Sequence, residues 1–343
     1  MISKTLLLAA SAACAAMLLP LGLAEAPATQ ASAWERPIEF TLSPSGESGE
    51  VELSLRHRSG RSESHHSRSI PLAELQGLDA AALAGDGGPL RFRLAREAGA
   101  LDCEGDLRSG RGSGRCRFTP DASFAAGLEQ RGIGRPRAED QFHLMMSDVR
   151  MELVDELARQ DYPRPRVSDL VALGIHGGDL AFLRGLDAAG YRTGSHEQLV
   201  AFLIHGVTPD YVRELTGLGG QFSQIAADQF VAMRIHGVTP AFARAMTGLG
   251  DRDLGPQDLV NLRIHGVDEA RVRELVGLGD RELDAGSLVQ MAIHDVTPAF
   301  IREMAEAGYP DLTTEQLVNL RIHGVRPSDA REINQAVGGP DAE

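Results

Sequence analysis

Hydrophobic positions along this chain follow two different rhythms. Between residues 38 and 118 they alternate, as in Ile38-Glu39-Phe40-Thr41-Leu42, Val51-Glu52-Leu53-Ser54-Leu55 and Leu90-Arg91-Phe92-Arg93-Leu94. A period of two marks half-buried strands. Beyond residue 138 the apolar residues cluster in runs such as Leu199-Val200-Ala201-Phe202-Leu203-Ile204, too dense for an alternating strand and suited to short helices packed on neighbours.

The second region is periodic at a larger scale. Ile204-His205-Gly206-Val207 returns at Ile235, Ile264 and Ile322, with variants at Ile175-His176-Gly177-Gly178 and Ile293-His294-Asp295-Val296. The intervals are 29, 31, 29, 29 and 29 residues, and one further step back reaches an eroded copy at Met146-Ser147-Asp148-Val149. A fixed period of this length signals a repeat architecture. Each unit reads as two helices. The first opens on a capping box, Ser195 with Gln198 or Thr313 with Gln316. It closes at His-Gly-Val, with Gly in the left-handed conformation and Val folding back. The second opens on Thr208-Pro209, Thr239-Pro240 or Thr297-Pro298, Thr capping and Pro at the first helical position. The two extra residues of the long interval are expected near Gly219–Phe222.

The expected fold is therefore α+β in two domains: a small antiparallel β-rich domain over 34–137, then an α-solenoid of about seven two-helix repeats over 138–343. Within the β-rich domain, Arg56 to Ser69 reads as a Ser/Arg/His-rich polar loop carrying His57, His65 and His66. Pro71 to Leu83 and Ala122 to Gln130 read as short helices, and Gly132 to Glu139 as the linker. Ser109-Gly110 is a two-residue hairpin turn, which sets Arg108 against Arg111 and Cys103 against Cys116, within disulfide reach.

Residues 1–33 read as a signal peptide: Lys4, an apolar run from Thr5 to Leu23, then small-x-small sites at Ala24-Glu25-Ala26 and Ala31-Ser32-Ala33. Cleavage before Trp34 is favoured because Pro27 follows the first site; a retained anchor and a lipoprotein through Cys14 are the alternatives. Removing the leader leaves one cysteine pair, as a periplasmic or secreted protein would use it.

Composition narrows the function. Net charge is −14, with 34 Lys+Arg against 48 Asp+Glu, which argues against nucleic acid, since binding phosphates requires a basic field. No G-x-S-x-G, H-E-x-x-H or Walker loop occurs, and Gly110–Gly114 leads into no helix as a phosphate loop would. Neither enzyme chemistry nor a cofactor or metal is expected. His176, His205, His236, His265, His294 and His323 recur once per repeat. A stripe at ~10 Å steps cannot share one zinc, whose ligands lie about 2 Å away. These histidines read instead as C-terminal residues that bond the last carbonyls and favour the helix dipole, beside the structural glycines Gly177, Gly206, Gly237, Gly266 and Gly324. Arg234, Arg263 and Arg321 also recur; they read as ion-pairing residues or as a ridge for a partner.

Units of the form Gln316 to Val325 and Gln229 to Met246 resemble the repeats of uncharacterised exported bacterial helical-repeat proteins. Similar repeats occur in extracytoplasmic parts of proteins related to β-lactam-sensing membrane metallopeptidases. Phe40-Thr41-Leu42, Leu101 to Gly105 and Phe118-Thr119-Pro120 resemble the β-domain that precedes such repeats. The resemblance implies an envelope location and, more weakly, a signalling partnership, although this chain carries no metallopeptidase motif. The expectation is a monomeric scaffold that binds an unidentified protein or peptide. The alternatives are an accessory sensor or regulator of a membrane receptor or peptidase, and a cell-wall or glycan-binding module.

Overall fold

A computed structural model describes residues 37–337 apart from 47–48, 60–61, 86, 249–253 and 280–282. The proposed leader, and the polar tail from Gly338, lie outside the described residues.

Seven strands form one curled antiparallel sheet: β1 (Ile38–Pro44), β2 (Glu50–Ser59), β3 (Ser62–Pro71), β4 (Leu75–Gln76), β5 (Gly88–Arg96), β6 (Gly99–Arg108) and β7 (Arg111–Pro120), in the order β3-β2-β1-β7-β6-β5-β4. Alternation places Phe40, Leu53, Phe92, Leu101 and Phe118 on the buried face and Glu39, Arg91, Glu104 and Arg115 on the open one. The β6–β7 turn has positive φ at Ser109 (48°) and Gly110 (74°), the requirement of a tight type I′ hairpin turn. Its register puts Arg108 opposite Arg111 and Cys103 opposite Cys116. The two sulfurs are bonded, with Cα atoms 4.0 Å apart. Gly105 and Gly114 face each other on the same two strands. A Cβ on Gly114 would lie 2.2 Å from the Glu104 carbonyl oxygen and 2.8 Å from the Phe40 ring, so the curl requires bare backbone there.

Two expectations for this domain need correction. Arg56 to Ser69 is not a loop but most of the β2–β3 hairpin, paired from Glu50↔Pro71 to Ser59↔Ser62. It lacks an apolar stripe because His57, His66 and Arg68 take the inward positions. Their stems and rings supply the covering surface that aliphatic residues supply elsewhere. Pro71 to Leu83 is likewise not one helix. A 3-10 turn at Leu72–Glu74 and the short β4 precede α1 (Ala80–Ala84), which Asp79 caps by accepting from Ala82 N–H.

The helices form two layers. First helices of successive units pack on one another: α3 (Ala138–Met146), α5 (Val167–Ile175), α7 (His196–His205), α9 (Ala227–Ile235), α11 (Pro256–Ile264), α13 (Ala285–Ile293) and α15 (Thr314–Ile322). Second helices make the other layer: α4 (Met151–Arg159), α6 (Leu180–Ala188), α8 (Pro209–Thr216), α10 (Pro240–Thr247), α12 (Glu269–Val276), α14 (Pro298–Glu306) and α16 (Pro327–Val337). These are seven pairs. α2 (Ala122–Gln130) packs against α4 and so heads the second layer. The helical stack thus begins before the expected linker. The extra residues of the long repeat form a 3-10 turn at Gly220–Phe222, with Phe222 buried.

The sheet and the stack are joined directly. α3 lies on β6 and β7, with Phe142 edge-on to Phe118 at 5.4 Å. The Arg96 side chain, 9% exposed, pairs with Glu74 at 2.8 Å and donates to the Met145 and Met146 carbonyls at the end of α3. Glu97 accepts from Met151 N–H at the start of α4, and Gln141 donates to the Ala98 and Asp121 carbonyls. In the eroded first unit, Ser147 and Asp148 stand in the His-Gly place, with Asp148 at φ 51° and 3.7 Å from Arg96 of β5.

Candidate docking surface on the helical repeats

Each first helix ends as its sequence requires. Val207 N–H bonds Phe202 C=O at 2.8 Å and Gly206 N–H bonds Leu203 C=O, with Gly206 at φ 67°. This is the Schellman arrangement. The same pair of bonds recurs after α9, α11 and α15, and Asp295 (φ 54°) takes the glycine place after α13. Asp is among the few residues that tolerate this conformation. These backbone N–H groups satisfy the last carbonyls, the task expected of the histidines. The imidazoles of His176, His205, His236, His265 and His323 are exposed, and that of His294 is half-buried.

Beside every histidine stands an isoleucine that the core does not use. Ile175, Ile204, Ile235, Ile264, Ile293 and Ile322 are each 48–56% exposed. The helices therefore are not apolar all round in their packing: they bury the faces of Leu199 and Phe202, Phe230 and Met233, or Leu259 and Leu262, and leave Ile at the rim. Two positions of low burial are as invariant among the units as the packed valine four residues before each isoleucine, Val171 to Val318. The core position two residues before the isoleucine drifts through Leu173, Phe202, Met233, Leu262, Met291 and Leu320, whereas Ile and His are the same in all six. Packing does not demand this, because a solvated position tolerates most polar side chains. With adjacent helices about 8–10 Å apart, the six Ile-His pairs form a ridge with one pair per first helix from α5 to α15.

The arginines behave differently. Arg234 lies over the Tyr211 ring at 4.9 Å, Arg263 over Phe242 at 4.6 Å and Arg321 over Phe300 at 5.1 Å, each aromatic belonging to the preceding unit. Arg263 also donates to Gly237 C=O at 2.8 Å, and Arg321 pairs with Asp295 at 2.5 Å. They staple units together, with Arg234 exposed and Arg263 and Arg321 half-buried. The one unit with an arginine in the aromatic place, Arg271, is followed by Ala292 in the arginine place. Arg271 then donates to Met291 C=O and Val296 C=O of the next unit. No joint sets Arg against Arg. Arginines on the second helices also form ion pairs, Arg213 with Asp210, Arg273 with Glu269, and Arg244 with Glu214 of the preceding unit at 3.7 Å.

Two polar clusters lie on the β-domain. On the inner side of β3, the His66 ring packs 4.8 Å from His143 and 5.4 Å from Phe142, and its Nε2 is buried without a hydrogen bond. Burial and the neighbouring His143 push its pKa down to about 4; burial also lowers that of His143. On the open face, one row crosses six strands with alternating charge, Arg91-Glu104-Arg115-Glu39-Arg56, ending at His65. It borders an open groove of about 800 Å³. Opposite charges on neighbouring strands stabilise a sheet, which is sufficient cause for the pattern.

Among the described residues, no group of three or more His, Cys, Asp or Glu is placed to hold a metal ion, and no helix is long and apolar enough to cross a membrane. The ridge has one sequence signal, the invariant Ile-His, which the dense apolar runs around it conceal. Comparison with known proteins finds no matching family model, no matching curated protein and no matching solved structure.

Proposed function

We propose that this protein is an exported, non-enzymatic scaffold whose helical repeats bind a protein or peptide partner. The observation that carries the reading is the Ile-His ridge: six half-exposed isoleucines at one repeat position, each followed by histidine. Contiguous exposed apolar surface with a polar border is how interaction sites present themselves, and imidazoles supply both a donor and an acceptor beside it. The leader-like N-terminus and the bonded cysteine pair support export to the periplasm or beyond. Repetition of polar residues across units supports a scaffold over a catalyst.

The test is affinity capture from envelope extracts with the wild-type protein and with Ile235→Ala/Ile264→Ala/Ile293→Ala. These positions are half-exposed, so the variant keeps its circular dichroism and melting temperature. A protein recovered by the wild type and lost on the variant supports the reading. Equal recovery by both, or recovery of wall fragments alone, overturns it.

A further inference from the structure

Each unit of the stack buries the face that it turns to the next. The place of Ile333 in the second helix is at most 2% exposed in all six earlier units, from Leu157 to Met304. The place of Leu320 in the first helix is equally dry, from Leu144 to Met291. The place of Val325 is buried at Val149 and again from Val207 to Val296. On the α15–α16 unit the same three places lie open: Leu320 and Val325 are half-buried and Ile333 is 55% exposed. No helix pair among the described residues stacks on them. Residues 338–343, Gly-Gly-Pro-Asp-Ala-Glu, bring no large apolar side chain to the face.

Independently of the Ile-His ridge, we infer that this face is covered by the same face of a second copy, in a two-fold dimer that joins two stacks end to end. Precedent within the chain shows what closes such a face: at each of six joints the three places are covered by another helix pair of the same repeat. A unit that ends an array in water carries a polar outer face. α16 makes that change at Asp329, in the place of Phe300, and yet keeps Ile333 in the core place. The Asp329 change also bears on which helix pair docks. Inside the stack an incoming arginine lies over an aromatic, as Arg321 does over Phe300, and Asp329 offers no such platform. The opposite end of the stack is itself occupied, because the sheet lies on α3 and α2 packs against α4. A head-to-tail chain of copies therefore has no free end to use. Two-fold contact needs none, since one self-complementary patch serves both sides. Ile333 meets its counterpart, with Leu320 and Val325 around it. Arg331 and Glu332 flank Ile333, are exposed, and form no ion pair among the described residues. Each copy thus holds a cation and an anion ready for the other's anion and cation.

Two helices of 9 and 11 residues make a small face, at the low end for specific interfaces, so the dimer is reversible. The test is sedimentation velocity of the purified protein across micromolar concentrations. The wild type is expected to pass from monomer to dimer as concentration rises. Ile333→Asp sits at an exposed place and leaves the circular dichroism unchanged; it raises the dissociation constant at least ~10-fold, as loss of a central anchor does. Ile264→Asp, on the ridge, leaves the dissociation constant unchanged. A wild type that stays monomeric throughout, a dimer that Ile333→Asp leaves intact, or species that lengthen beyond the dimer each overturn the inference.

Discussion

The sheet and the helical stack are stabilised in opposite ways. In the sheet, two runs of consecutive strands, β1–β3 and β4–β7, meet only where β1 pairs with β7, and β2 and β7 on either side of β1 are separated by more than fifty residues in sequence, so the single sheet depends on one distant pairing. In the stack each unit touches only its neighbours, and stability is close to a sum of unit and joint terms. One consequence is kinetic: non-local pairing folds slowly, and local pairing fast. Another concerns damage. A fault in the sheet is global to that domain, whereas a fault in the stack is confined to one joint.

The sharpest way to break this comparison is Gly114→Val. With the Glu104 carbonyl oxygen 2.2 Å from where Cβ would sit, the strands must part. We expect a loss above ~3 kcal/mol, at the severe end for overpacking, with strand signal lost from circular dichroism while helical signal persists. A variant that kept the full strand signal would show that the sheet yields locally after all. Next in size is the disulfide. Cys103→Ala/Cys116→Ala should cost about 2–4 kcal/mol, as expected for closing a short loop, read as a lower denaturant midpoint of the sheet and an unchanged one for the helices. Smaller again is a joint. Arg263→Ala removes the stacking on Phe242 and two bonds to Gly237 C=O, worth about 1–2 kcal/mol together. Hydrogen exchange should quicken in α9 to α12 and not in α5. Exchange quickening throughout the stack would refute the nearest-neighbour view.

The gentlest perturbation is acid. His66 is held neutral in the fold, at about 4 against 6.5 unfolded, by burial and His143. Below pH 6.5 the unfolded chain takes up a proton that the folded chain refuses, so stability declines as pH falls from 6.5 to about 4 and this contribution levels off beneath. His143 acts in the same direction. Chemical denaturation between pH 7 and 4 should show the decline, and His66→Gln should flatten it. An unchanged slope would place the acid sensitivity elsewhere.

Legibility followed the same division. The repeats could be read because short-range signals recur from unit to unit: Thr-Pro starts in three units, His-Gly-Val stops in four, an Ile-His pair in six and a step of 29 residues at all but one interval. The β6–β7 hairpin could be read because Ser109-Gly110 fixes its register, and with it the cysteine pairing. The β2–β3 hairpin could not, because the surface covering His66 comes from Phe142 and His143 of α3, some eighty residues away, and nothing local announces it. The ridge was half legible. Repetition marked Ile and His as a pair, but an isoleucine two residues from a buried Leu or Met gives no local sign that its own side faces water.

The complementary joints impose a grammar on how such a chain can lengthen. The unit α9–α10 opens with Arg234 and closes with Phe242, so a tandem copy would meet itself as aromatic against arginine and stack cleanly. The unit α11–α12 opens with Arg263 and closes with Arg271; copied in tandem, it would set two guanidinium groups against each other. Gene duplication can therefore add units at one point of this array and is penalised at another. The order of the units is written into their ends rather than into their cores.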